Sequence, residues 1–496
     1  MLNFNQKKMK SNNFLIVTAL SILITGFSSC QGDFLDENPK SFIAPTNFYK
    51  TEADANAALV AVYNGLRAIY SQDITFVGDM AGEQTFPGVS NSNVDRSNID
   101  AFQFEPSNTI LLGNWNNNYV VINRANAVLD RVPAIDMPAA SKDVILAEAR
   151  FLRAFSYFNL VRTFGGVPLR LAEATPLHLK RSTADEVYAV ILDDLKQAEA
   201  KLPAVQPAAN LGRATKGAAS SLLAYVYLTK KDWTNAAAKA QEVIDNKGAY
   251  GYGLYPTPAD VWKIANENKL EHIFSIQFQS GPEGFGSAYA QFYLSRTANV
   301  IQASGISGFG QNLVEDKFWK SFDVNDTRRD ASILSRFVDP KTNKVYQYPS
   351  TDLTELSIFK YFDPAPYARS NNNNNYPILR YADVLLIKAE ALNELNGPTA
   401  DAYDAINQIR KRAGVNMTLL SGLTQVQFRA AVLQERSFEF CFESKRYFDL
   451  IRTEQLVPIM TAAGKNPQPK NLLFPIPQKE IDTNQEINQE DQNPGY

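Results

Sequence analysis

Apolar residues recur every three to four positions over six stretches of this chain, the spacing of one buried face of an α-helix. The first stretch starts near Glu52 and covers 53–70 (ADANAALVAVYNGLRAIY), with Ala57, Val60, Ala61, Asn64 and Ala68 at helical spacing. Residues 115–132 and 142–163 follow; Pro133 closes one, and Gly165 and Gly166, ahead of Pro168, close the other. Thr183 and Glu186 have the spacing of a capping box, in which each side chain takes a backbone N–H at the helix start. They predict a helix over 184–201 that stops before Pro203.

The last two stretches read as helix pairs. Residues 216–246 predict two helices with a turn at 230–232, and Ala224, Tyr227, Ala236, Ala240 and Val243 fall where a tetratricopeptide-like unit needs small or apolar side chains. Residues 379–412 repeat the logic with Ala389, Leu392, Ala402, Ile406 and Ile409. A small residue in the first helix lets the second approach, and a neighbouring pair covers what one pair leaves exposed. The expected fold is therefore mostly α: a tetratricopeptide-like helical superhelix in which the earlier helices supply the remaining pairs.

Two segments break the period. Residues 71–112 are punctuated by Gly, Asn, Asp and Ser and are expected to form a long irregular loop, the kind that carries function. Residues 250–378 are rich in Gly, aromatic and Asn residues, and short alternating runs such as HIFSIQF (272–278) read as strands. This is expected to be a loop-rich insertion with a small sheet, between a helical region at 49–249 and another at 379–496, the whole forming one compact unit.

The N-terminus adds a compartment. Lys7, Lys8 and Lys10 precede an apolar run at 14–24, and TGFSSC ends at Cys30. A basic region, a short apolar core and small residues before a cysteine form a lipoprotein signal. The expectation is a signal over 1–29, lipid attachment at Cys30 and a tether over 30–48. The run is shorter than the roughly 20 residues a membrane-spanning helix needs. Cys441 is the one other cysteine, so an acylated Cys30 leaves no internal disulfide. Net charge is −3 with Lys and Arg scattered, which argues against a nucleic-acid partner.

Catalytic constellations are sparse. His178 lies in a Pro-flanked loop and His272 opens a strand run; surface or capping roles are expected of both. Neither belongs to H-E-x-x-H, and there is no G-x-S-x-G elbow, P-loop or dinucleotide fingerprint. Cys441, in FEFCFES, reads as a small buried residue of an apolar helix. Asp79, Asp95 and Asp100 offer oxygen ligands without EF-hand spacing, so neither a metal nor a cofactor is expected. What remains is a binding surface. The loops hold Phe76, Phe86, Phe285, Tyr289, Phe292, Tyr293 and Phe309, with Asp79, Asn91, Asn93, Asp95 and Arg96 beside the first of them. Aromatic rings stack on the apolar faces of sugars while polar groups bond the hydroxyls; the competing reading is that the rings fill the core beneath the loops.

Taken in order, the motifs resemble a family. DFLDENP (33–39), NWNNNYVVINRANAVLD (114–130), AEARFLRAFSYFNLVRTFGGVPL (147–169), GRATKGAASSLLAYVYL (212–228), YPILRYADVLLIKAEALNEL (376–395), INQIRKRAG (406–414), QERSFEFCFESKRYFDLIR (434–452) and LLFPIPQKEI…NQEDQNPGY (472–496) are similar to those of the SusD/RagB nutrient-binding outer-membrane lipoproteins of Bacteroidetes. The resemblance implies four tetratricopeptide-like helix pairs with a mostly irregular region. It implies a surface lipoprotein that captures an oligosaccharide, or in some branches peptides, and passes it to a SusC-like TonB-dependent transporter. Asp33, Asp36 and Glu37 look like the family's surface-export signal. The ligand loops it implies, 76–102 and 281–312, hold no tryptophan, so a starch-type tryptophan platform is not expected. A surface glycosidase is the reading from another class.

Within 434–452, Glu435, Arg436, Glu439, Glu443, Arg446, Asp449 and Arg452 recur at helical spacings that let opposite charges pair. They are expected to form an internal ion-pair network, with Arg446 pairing Asp449 above Phe438, Phe442 and Phe448.

Overall fold

Thr51 accepts the Asp54 amide and Asp54 accepts the Thr51 amide, so helix α1 (Glu52–Ala68) opens on a capping box. The computed structural model describes residues 48–88, 91–296, 308–339, 341–412 and 417–496; residues 1–47, where the expected leader, Cys30 and all but the last residue of the expected 30–48 tether fall, lie outside the described residues. Helix α2 (Thr109–Arg131) starts earlier than the apolar period does, because the Asn108 side chain accepts from the Ile110 and Leu111 amides. Helix α3 (Ala139–Phe164) ends on Gly165, whose φ of 74° is open to glycine and strained for other residues. Helix α4 (Ala184–Lys201) opens on the expected Thr183–Glu186 box.

The two predicted pairs are present: α5 (Lys216–Thr229) with α6 (Trp233–Asp245), and α7 (Tyr381–Asn396) with α8 (Ala400–Arg410). Each helix packs on the next from α1 to α8, and α7 seats directly on α6 although 135 residues of chain separate them. Ala224, Ala236, Ala240, Ala389 and Ala402 are fully buried at these seams, as close helix packing requires. The intervening insertion leaves and returns on one antiparallel pair, β1 (His272–Ile276) with β2 (Tyr376–Arg380). Its other strands form short two-stranded ladders.

Residues 71–112 depart from the irregular loop expected of them. π-helical turns occupy Ile69–Asp73 and Phe76–Met80, Thr85–Phe86 pairs with Leu313–Val314, and Val94–Asp100 is a helix capped by Asn93. The period fails here because Phe76 to Met80 are buried all round, which erases any polar face. A π turn also shifts the helical register.

The C-terminal charges are inside. Helices α9 (Gln425–Glu439) and α10 (Arg446–Arg452) flank a turn at 440–444. Arg380 bonds Glu439 at 2.9 Å and Glu443 at 2.8 Å, Arg328 bonds Glu435 at 2.6 Å, and Lys360 bonds Glu443 at 2.8 Å. Arg412 joins Glu271 and Glu439, and Lys445 joins Asp383. Asp449 pairs with Arg436 and Arg452, both at 2.8 Å, and Arg452 continues to Glu390. The expected Arg446–Asp449 pair does not form. Arg446 opens α10 and reaches Glu83, while Asp449 faces α9.

Cys441 is buried as expected but sits in the turn rather than in a helix, and burial pushes its thiol up to about 11. His272 is buried rather than superficial; its Nε2 lies 2.9 Å from the Val261 carbonyl, and burial lowers its pKa. Trp115 lies in the core, and Trp233, Trp262 and Trp319 pack against it. No described helix is long and apolar enough to cross a membrane.

Candidate functional site

The stripe that announces α1 in the sequence is its outward face. Ala57, Val60, Ala61, Asn64 and Ala68 are exposed, while Ala55, Ala58, Leu59, Val62, Gly65 and Leu66 hold the core. Ala57, Val60, Ala61 and Asn64 of this stripe wall a groove of about 660 Å³ whose other wall is the outgoing end of β1: Ser275, Gln277, Phe278, Gln279 and then Phe285. Phe285 is 47% exposed, and the Arg67 guanidinium stands 4.2 Å above its ring. Such a pair offers a ligand a flat apolar face beside a fixed cation and several hydrogen-bond donors.

The 371–375 asparagine run holds this wall in place. The Asn375 Oδ1 accepts the Phe278 amide at 2.7 Å, the Asn373 Oδ1 accepts the Ser280 amide and hydroxyl, and the Asn371 amide donates to the Gly281 carbonyl at 2.7 Å. Asn372 exchanges backbone bonds with Ser287 and adds a side-chain bond at 2.6 Å. An amide side chain carries a donor and an acceptor, so successive asparagines serve a loop as a strand partner would. Gly286 completes the fit, since a Cβ there would lie 2.2 Å from the Asn371 Oδ1. In sequence this run looks like low-complexity filler, and only its spacing to the Phe285 loop across the β1–β2 pair shows its use.

Most of the other aromatics expected in the site are core. Phe76, Tyr289 and Tyr293 are each 1% exposed. Tyr289 packs against Tyr293, Tyr361 and Tyr376 with ring centroids 5.1–5.7 Å apart. Phe86 is a half-buried strand residue. Asp79 is buried; its Oδ1 accepts the Ser444 amide at 2.8 Å, and burial pushes the carboxyl up to about 8. Asp95 accepts the Thr109 amide at 3.0 Å, and Asp100 pairs with Lys465 at 2.7 Å. The three aspartates thus have separate structural partners.

A second polar patch gathers Arg96 and Phe309 from the two expected loops. Arg96 lies between the rings of Phe76 and Phe292, at 4.3 and 5.4 Å, and donates to Gln311 at 2.6 Å. Burial lowers its pKa to about 10, leaving it cationic at neutral pH. Phe309 packs on Phe292 and carries Arg369 4.2 Å above its ring. The asparagine loop touches both patches: the Gln291 side chain accepts from Ser370 and Asn372, and its carbonyl accepts the Phe309 amide.

Residues 270–496 match a family model described as the SusD family, and residues 33–228 match one described as starch-binding, associating with outer membrane. SusD-like protein P2 of Formosa agariphila is 30% identical over 93% of this chain and 96% of its own length. The starch-binding protein SusD of Bacteroides thetaiotaomicron is 24% identical over 62% of this chain and 63% of its own. A solved laminarin-binding SusD-like protein superposes with a TM-score of 0.78 at 27% identity, covering 90% of this chain and all of that one. The surface glycan-binding protein A of Bacteroides uniformis gives 0.76 at 26% identity, covering 89% and 99%. With these matches spanning nearly the whole chain, and with the stacked helix pairs in place, the chain belongs to the SusD/RagB family.

Proposed function

We propose that this chain is an outer-membrane lipoprotein, anchored through Cys30, that captures oligosaccharides at the cell surface and passes them to a SusC-like TonB-dependent transporter. The family assignment and the glycan-binding relatives support the ligand class. The observation that carries the reading is the Phe285–Arg67 pair at the mouth of the 660 Å³ groove, ringed by Asn64, Gln277 and Gln279. A glycosidase needs two opposed carboxyl groups. No carboxylate or histidine is among the residues lining this groove, so it is suited to holding a glycan rather than cleaving it.

Affinity is expected to be modest, about micromolar to millimolar, because one stacked ring and a few hydrogen bonds must offset the entropy of association. The test is affinity electrophoresis and calorimetry of residues 31–496 against laminarin, starch and a tryptic peptide mixture. Retention by a glycan, with Phe285→Ala weakening it about tenfold or more, supports the proposal. Binding of peptides without any glycan establishes peptide capture instead, and release of shorter sugars on incubation establishes an enzyme.

A further inference from the structure

We infer that the Phe285 groove is one end of a longer glycan track that crosses α1 and α2 to a further subsite beside Tyr119. Three hollows adjoin. The Phe285 groove shares Asn64, Arg67 and Phe278 with a middle hollow of about 450 Å³. That hollow shares Val120 and Arg124 with a third, of about 460 Å³, on the far flank of α2. The third is lined by Asn116, Tyr119, Asn123, Arg170 and Glu480. With helices packed about 8–10 Å apart, crossing two of them gives a track roughly 20 Å long.

The lining suits a hydroxyl-rich chain. Asn116, Val120, Asn123 and Arg124 are exposed on α2 and fall on one face at i, i+4, i+7 and i+8. A protein-docking face would be centred on apolar and aromatic anchors. Here Val120 is the exposed large apolar residue of α2, and amides flank it. The distal side chains are already fixed. The Tyr119 hydroxyl donates to the Pro168 carbonyl at 2.8 Å, Arg170 donates to the Pro176 carbonyl at 3.0 Å, and Glu480 accepts from Asn484 at 2.8 Å. Little side-chain freedom remains to be lost when a sugar arrives.

This inference rests on the capture reading, and the experiment separates the two. Laminaritriose and laminarin are the probes, with the wild-type chain, Phe285→Ala and the double variant Asn116→Ala/Asn123→Ala. Both asparagines are exposed, so an unchanged melting temperature is expected. Wild type should bind laminarin about tenfold more tightly than laminaritriose, and the double variant should lose most of that excess while binding laminaritriose as before. Phe285→Ala should weaken both. Laminarin affinity unmoved by the double variant, with Phe285→Ala still weakening both probes, overturns the track and leaves the capture reading standing. If Phe285→Ala changes neither, or wild type binds no laminarin, the track falls along with the Phe285 groove as a glucan site.

Discussion

Asp79 shows what burial does to a residue that sequence placed in a loop. Its Oδ2 is buried without a hydrogen-bond partner, and burial raises the carboxyl to about 8. From about pH 4, where an unfolded aspartate ionises, up to about pH 8, the folded chain holds a proton that the unfolded chain has released. Stability from this group is therefore lost as pH rises through that window. Melting curves from pH 5 to 9 should fall less steeply for Asp79→Asn than for wild type; parallel curves would refute the assignment. Phe285 is the opposite case. In the sequence it stands beside six other loop aromatics with nothing to rank it, because exposure of a loop ring depends on what lies across from it. Its 47% exposure and the Arg67 contact single it out.

Helix ends and ion pairs carry the predictions at the scale of elements. The Thr183 cap was legible because a capping box is local, and Thr183→Ala should cost about 1 kcal/mol in denaturant unfolding. The charge network was legible as a cluster, and helical spacing allows the Asp449–Arg452 pair that forms, but the partner of Arg446 was not legible. Helical spacing places Arg446 and Asp449 within reach of each other, yet Glu83, distant in sequence, takes Arg446. Arg446→Ala should lower stability by about 3 kcal/mol, as loss of one partner of a largely buried pair does, and leave glycan affinity unchanged. Lost affinity with unchanged melting would overturn that. Burial alone would raise Glu443, but Arg380, Lys360 and Lys445 outweigh it and hold the carboxyl at about 2; Arg436 and Arg452 do the same for Asp449. Both groups contribute stability above about pH 4 that is lost as pH falls toward 2. Glu443→Gln should destabilise strongly at neutral pH, and its deficit against wild type should shrink between pH 4.5 and 2. A deficit constant across that range would place the effect elsewhere.

For the whole molecule, the proposed task requires a body tied to a membrane from outside. Cys30→Ala should abolish labelling by a lipid precursor and release the chain from the outer-membrane fraction; equal labelling would remove the anchor from the proposal. The sequence by itself determined the helices of the stack, the Thr183 cap and the two clear pairs, because apolar period, capping box and small seam residues act within a few turns of one chain. It also carried the family motifs from end to end. Only the tertiary structure decided which face of α1 is wet, which loop aromatics are core, that 69–80 and 94–100 are helical rather than loose, and that 371–375 braces the Phe285 loop. The reason is the same in each case. Burial and charge pairing are settled by groups far apart in sequence, as Asp79 with Ser444, Arg446 with Glu83 and Phe285 with Arg67 show, and no local spacing encodes those meetings.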